Sequence, residues 1–383
     1  MHICFLTPEY SHPNLGKSGG LGTSIKNLAT GLVANGVLVS VVVVGQKTSG
    51  VWEENGITIR VLKQKKYKFL GFYLYRRKVM RYLNLLIKTE GIDLIEAPDW
   101  SGITAFMSLK VPLVIRFNGS DAYFCKLDGR KQKKKNYWFE KLALQGADAL
   151  ISVSAYTAKE TRNLFPLKKP IAIIPNSINI YNFQPATTPV VPKTILYFGT
   201  IIRKKGVLEL PAIFNLVAAK HPDSRLIILG KDVVDFKTKE STKNMMEKAF
   251  SEAAKKQVSW LSELPYDEVR KTLANAEIVV LPSFAEALPM TWLEAMAMEK
   301  ALVTSDIGWA KEVMVDGVTG FTVFPKEHQV YADKIIELME NKTLQIRMGK
   351  SARDHIINHF SAEVVTLRNK EFYKSLLSDS EIV

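Results

Sequence analysis

With 383 residues, 47% of them apolar and 23% charged, the chain has the make-up of a folded globular protein and is long for a single core, so two domains are expected. No apolar run approaches the roughly 20 residues of a membrane-spanning helix. Residues 1–8 show no basic stretch leading into a long apolar one, so no secretory signal is expected. Cys4 and Cys125 have neither metal nor redox spacing, which fits a reducing, cytoplasmic setting.

In chain order, short β-rich runs fall at residues 3–6, 40–44, 57–61, 94–96, 113–117, 149–153 and 171–174, with helical patterns between them. Such runs suit parallel strands buried on both faces. Residues 185–192, with three prolines and two threonines, break the alternation and are expected to be a linker, taken as 185–193. The pattern restarts with 194–198, 225–229, 277–281, 301–304 and 320–323. The expected fold is α/β: two doubly wound, Rossmann-like domains facing each other across a cleft at the carboxyl ends of their strands.

The formal charge of +14 is unevenly placed. Lys63, Lys65, Lys66, Lys68, Arg76, Arg77, Lys78 and Arg81 alternate with Tyr67, Phe69, Phe72, Tyr73, Tyr75 and Tyr82. Lys126, Arg130, Lys131, Lys133, Lys134 and Lys135 run into Tyr137, Trp138 and Phe139. An anionic bilayer, nucleic acid and plain solvation of a basic face all suit such clusters. Their common place in the first half favours a membrane-facing side, with the protein peripheral on the inner face of the cell membrane.

Each expected domain opens with a strand, a loop and a helix. In the first, Gly16-Lys17-Ser18-Gly19-Gly20-Leu21-Gly22-Thr23 precedes a helix over 24–34. Its glycines either bring backbone close to an anion at a helix N-terminus or serve only as a small-residue loop. In the second, Gly199 is followed by Arg203, Lys204 and Lys205, then a helix near Val207. These cations either meet a diphosphate at the strand end or are solvated.

Glu286 and Glu294 lie eight residues apart around an expected helix over 288–297. They are either two solvated ends of an amphipathic helix or carboxylates flanking a phosphate held on the first-turn amides near Leu288, Pro289 and Met290. The surrounding motifs favour the second reading.

The order Phe198-Gly199, Arg203, Lys205-Gly206, Leu281-Pro282-Ser283, Glu286 to Glu294-Ala295-Met296-Ala297, Val303 to Gly308, Glu312, Asp316-Gly317 and Thr319-Gly320-Phe321 resembles the family-four retaining glycosyltransferases of the GT-B fold. Gly19-Gly20 and Asn118-Gly119-Ser120-Asp121 match that family's first domain. The resemblance implies an acceptor-binding domain over 1–184, a donor-binding domain over 194–360 and a last helical segment, 361–383, crossing back to the first.

By position, the resemblance implies that Glu286 holds donor-sugar hydroxyls and Glu294 the ribose. Arg203 and Lys205 would meet the diphosphate, together with Ala287, Leu288, Pro289 and Met290. Gly230, Lys231 and Leu264 would line the base; Gly19, Gly20 and Gly199 would give close backbone approach. Asn118 and Asp121 would stand near the transferred sugar. Asn118 replaces a histidine common in relatives, so no general base is assigned there, and Thr200 stands where relatives carry arginine. No Asp-x-Asp occurs.

The expected activity is therefore metal-independent, cofactor-free transfer of a hexose, UDP-glucose being the first donor, to a polysaccharide or lipid-linked glycan. An anionic membrane surface is a further candidate partner, and nucleic acid is not expected as one. Alternatives are hydrolysis or epimerisation of a sugar nucleotide on the same fold, or nucleic-acid binding on a non-catalytic scaffold.

Overall fold

The computed structural model describes residues 1–15, 18–185 and 190–380. It forms two compact units, Met1–Ile178 with Phe360–Val383, and Asn179–His359.

Unit one is built on β1 (His2–Thr7), β2 (Leu38–Gln46), β3 (Gly50–Glu54), β4 (Ile57–Lys63), β5 (Leu94–Pro98), β6 (Leu113–Phe117), β7 (Ala149–Ser152) and β8 (Ile171–Ile173). Their order is β3-β4-β2-β1-β5-β6-β7-β8, parallel except for the β3/β4 pair. Alternate residues of one strand feed two cores: Ile3 and Phe5 join one cluster, Cys4 and Leu6 the other. Burial on both faces explains why these strands read as continuous apolar runs.

β3 lies outside the runs expected from the sequence. Its signal is the dipeptide Asn55-Gly56, which closes the β3/β4 hairpin with φ of 50° and 76°, the paired positive values of a type I′ turn.

Chain exit and re-entry are stitched together in unit one, where Ile178 N donates to Phe360 O at 2.9 Å and Ala362 N to Ile178 O at 2.9 Å. This exit precedes the expected 185–193 linker, of which residues 186–189 lie outside the described residues. The returning helix Ala362–Ser380 packs on helix Gly20–Ala34, adding Val365 and Tyr373 to the core.

Unit two carries β9 (Thr194–Phe198), β10 (Arg225–Leu229), β11 (Val258–Leu261), β12 (Ile278–Leu281), β13 (Ala301–Thr304) and β14 (Phe321–Thr322). All neighbours are parallel in the order β11-β10-β9-β12-β13-β14. β11 is a short mixed-polarity edge strand and was not expected. The chain winds outward from β9 through β10 to β11, then returns to β9's other side as β12. The direction of winding thus reverses between β9 and β12, the place in an open α/β sheet where ligands generally bind at the strands' carboxyl ends. In unit one the same reversal falls between β1 and β5.

Candidate active site

In unit two the loops leaving β9 and β12 are locked together by backbone geometry that needs glycine. A Cβ on Gly230, φ 156°, would lie 1.8 Å from Gly199 O, so the ends of β9 and β10 approach this closely only because residue 230 lacks a side chain. A one-turn 3-10 helix, Arg203–Lys205, ends at Gly206. Gly206 has φ 69°, and a Cβ there would lie 1.7 Å from Pro282 O. Across this contact, Phe284 N and Ala285 N donate to Lys204 O at 2.8 and 3.2 Å.

The lock aims two side chains at each other. Lys205 Nζ donates to Glu286 Oε1 at 2.5 Å, and Ser283 Oγ donates to the same oxygen at 2.9 Å. Glu286 is buried and Lys205 partly so, which pairs a cation with a carboxylate directly after the ends of β9 and β12.

Glu294 projects from helix Met290–Ala297 and is also buried. The Tyr266 hydroxyl donates to Glu294 Oε1. Burial pushes the Glu294 carboxyl up to about 7, against the opposing pull of Tyr266's hydrogen bond and the Lys205 charge. Burial also raises the Tyr266 hydroxyl, as does neighbouring Glu294. Lys205 is thus hydrogen-bonded to one glutamate and within electrostatic reach of the other.

The expected helix start needs correction. Pro289 occupies the N-cap and the helix begins at Met290, so of the expected Leu288, Pro289 and Met290 amides, Pro289 supplies none, having no N–H. Ala287, Leu288 and Met290 are buried beside the glutamates, and Leu264 is half-buried in the loop before helix Tyr266–Asn275. Lys231 is exposed, while its carbonyl accepts from Ile201 N at 2.8 Å and aligns the loop after β9.

Arg203 is not brought to Glu286. Its Nε and Nη2 donate to the two oxygens of buried Asp235 at 2.7 and 2.9 Å. That fork holds the Asp235 carboxyl well below the usual range, overcoming its burial with help from the Thr238 amide. Ser283, Tyr266 and Asp235 thus join this site without having been expected there. Ser283 had a local signal, three residues before Glu286, whereas Tyr266 and Asp235 come from other crossovers.

Unit one has its own polar groups after β1, β5 and β6. Gly19 N and Gly22 N donate to Glu9 Oε1 at 3.2 and 2.9 Å, so the amides at the start of helix Gly20–Ala34 already hold a carboxylate from the loop after β1. Gly20 is the first residue of that helix, while Gly16 and Lys17 lie outside the described residues.

Asn118 follows β6; its N–H donates to Asp99 Oδ1 at 3.0 Å and its side-chain amide to Arg116 O at 3.5 Å. Asp99, at the end of β5, is buried, and burial pushes its carboxyl up to about 8. Its Oδ2 has no hydrogen-bond partner among the described residues.

Asp121 opens helix Asp121–Leu127, whose N-cap Ser120 accepts from Tyr123 N at 3.1 Å. Asp121 Oδ2 accepts from Asn136 Nδ2 at 3.0 Å. Burial would raise its carboxyl, but hydrogen bonds from Asn136 and Cys125 and the Arg130 charge hold it below its ordinary value. Buried Glu140 accepts from the Asp121 and Ala122 amides at 2.9 and 3.1 Å, filling this helix start as Glu9 fills the other. Asp99 and Glu140 were not among the expected residues; the position of Asp99 directly after a short strand was the available signal.

Among the described residues no group of three or more His, Cys, Asp or Glu is placed to hold a metal ion, and no helix is long and apolar enough to cross a membrane.

The family model described as Glycosyltransferase Family 4 matches residues 18–181, and that described as Glycosyl transferases group 1 matches residues 182–355. A glycogen synthase of Mycobacterium tuberculosis is 24% identical over 391 residues, covering 93% of this chain and 91% of the relative. Sucrose-phosphate synthase of Thermosynechococcus elongatus superposes with TM-score 0.81 at 17% identity, covering 99% of this chain and 100% of that one. HepE of Anabaena, solved in complex with UDP-glucose, gives 0.73 at 20% identity, covering 98% and 100%. The chain belongs to the family-four glycosyltransferases and has the GT-B fold.

Proposed function

We propose that the chain transfers a hexose from a nucleoside-diphosphate sugar, UDP-glucose first, to a hydroxyl of a polysaccharide or lipid-linked glycan, with retention at the anomeric carbon and without a metal. Unit two would bind the donor and unit one the acceptor. The observation that carries this reading is the Lys205–Glu286 pair, 2.5 Å apart, held at the β9/β12 reversal by the Gly206–Pro282 contact. The UDP-glucose in the HepE complex supports the choice of donor, and the name of the mycobacterial relative supports a polysaccharide as acceptor.

In the free protein the carboxylate neutralises the ammonium. A diphosphate entering beside Gly199 and Gly206 would take over Lys205 and release Glu286 Oε1 to accept from sugar hydroxyls, with Ser283 steadying it. Glu294 would exchange its Tyr266 contact for the ribose hydroxyls, and Gly230, Lys231 and Leu264 would border the base.

As the bond from the anomeric carbon to phosphate oxygen breaks, negative charge grows on the diphosphate. Lys205 is placed to stabilise that charge in a partly dehydrated site. On a same-face route the acceptor oxygen bonds to the anomeric carbon while its proton passes to the departing phosphate oxygen, so neither glutamate exchanges a proton. Asn118 in unit one would serve as a hydrogen-bonding amide.

The test is thermal-shift screening with UDP, GDP, ADP and their sugars, followed by product analysis with and without acceptor. Stabilisation by UDP and UDP-glucose is expected. Lys205→Ala should lower kcat by about 10²–10³, and Glu286→Ala should abolish transfer in a folded protein. Full transfer by either variant, or no stabilisation by any nucleoside diphosphate, would overturn the reading.

A further inference from the structure

The two basic, aromatic-rich segments, about 60 residues apart in sequence, form one surface of unit one. Helix Gly71–Glu90, helix Lys134–Gly146 and the segment around residues 100–106 come together through their aromatic side chains. Ring contacts join them: Phe72 to Phe139 at 5.1 Å, Tyr73 to Phe106 at 5.4 Å and Phe106 to Phe139 at 5.8 Å. Lys135 Nζ lies 4.2 Å from the Phe72 ring centre, and the Arg76 guanidinium 4.6 Å from that of Phe139. Arg76 also donates to Gly102 O and Ser101 O at 3.1 and 3.0 Å, so it is a structural clamp rather than a surface cation.

Beside this clamp, apolar side chains stand in water: Phe69 is 76% exposed, Leu70 62% and Trp138 55%, with Leu74 and Phe106 also exposed. Lys65, Lys66, Lys68, Lys131, Lys133 and Lys134, on the same two segments of the chain, are all exposed. Lys126 and Arg130 are already taken by Glu160 and by Asp128 with Asp121. No acidic residue occurs from Lys63 to Thr89 or from Gly129 to Phe139.

We propose that this surface docks on an anionic lipid bilayer, with Phe69, Leu70 and Trp138 entering the headgroup region and the lysines facing lipid phosphates. Charge complementarity selects an anionic partner. The aliphatic members decide its kind, because Leu70 and Leu74 gain from hydrocarbon and offer nothing to the bases or phosphates of a nucleic acid. Leu70 sits at φ 48°, in the left-handed region that leucine rarely adopts. This costs local strain to hold an apolar side chain in the loop before the helix.

The full chain is sedimented with vesicles of phosphatidylcholine carrying about 30% phosphatidylglycerol, and with pure phosphatidylcholine. Binding only to the anionic vesicles is expected. Each lysine near such a surface is worth roughly fivefold in affinity, so Lys66→Gln, Lys68→Gln, Lys133→Gln and Lys134→Gln combined should weaken binding more than about 100-fold. Phe69→Ser with Trp138→Ser should weaken it at least about tenfold at moderate salt.

Both variants should keep the thermal response to UDP, which reports unit two independently of the membrane. No sedimentation, equal binding to neutral vesicles, or unchanged binding in either variant overturns the proposal. So does a preference for single-stranded RNA that depends on the lysines and ignores Phe69 and Trp138.

Discussion

A carboxylate removed from water as thoroughly as Glu294 gives the site a pH dependence of known sign. Its folded value is pushed to about 7 from an ordinary 4.5. The folded protein therefore holds this proton more tightly than the unfolded chain does. The associated stability is fully present below pH 4.5 and is lost as the pH rises to about 7. Glu294→Gln stays neutral and should abolish that loss, making the ligand-free variant more stable than the parent at pH 8 by up to about 3 kcal/mol. Urea midpoints of both proteins at pH 5 and pH 8 check this, and parallel pH trends would refute it. UDP should stabilise the variant less than the parent, because an amide offers the ribose a weaker acceptor than a carboxylate. At this scale the glutamates were legible in the sequence because Glu286, Glu294 and their motif neighbours share one continuous segment. Tyr266, Asp235, Asp99 and Glu9 were not, since each acquires its meaning from burial or from a partner supplied by a different crossover.

Strands and helices were legible for a different reason. Runs such as 113–117, 194–198 and 301–304 are buried on both faces, so composition alone marks them out. The edges were less legible. β3 packs on one side only, and β11 mixes serine and tryptophan with aliphatics. What no periodicity reveals is the contact between two loops, and the contact at Gly206 is what aims Lys205 at Glu286. Gly206→Ala combines a left-handed φ of 69° with a Cβ 1.7 Å from Pro282 O, so a backbone must move. A loss of at least about 3 kcal/mol is expected, together with loss of the UDP response. Gly317 is the control: its φ is 72° but a Cβ there meets nothing within 4 Å. Gly317→Ala should cost only the conformational part, about 1–2 kcal/mol. Equal losses in urea unfolding would show that the loop contact contributes nothing.

Across the whole molecule, the chain leaves unit one at Ile178 and returns at Phe360, so a segment remote in sequence completes the first core. The returning helix is fixed by a buried polar network. Arg116 Nε donates to Glu96 Oε1 at 2.7 Å, Arg116 Nη2 to Asn369 Oδ1 at 2.5 Å, and the Tyr373 hydroxyl to Glu96 Oε2 at 2.6 Å. Glu96 and Arg116 stand on adjacent strands β5 and β6, diagonal in register since Glu96 pairs with Val114 and Arg116 with Pro98, and both are buried. Tyr373→Phe removes the short bond to Glu96 and the longer one that the hydroxyl accepts from Arg116 Nη2 at 3.4 Å, without emptying their space, which should cost unit one about 2 kcal/mol. For a unit of this size that lowers the melting temperature by about 4–8 °C. UDP acts on the other unit: at 100 times its dissociation constant it should stabilise the Lys205–Glu286 site by about 2.7 kcal/mol. Calorimetry of the full chain should therefore show two transitions, one lowered by Tyr373→Phe and the other raised by UDP. If both perturbations moved the same transition, either the nucleotide would have to sit in unit one or the units would have to unfold as a single body.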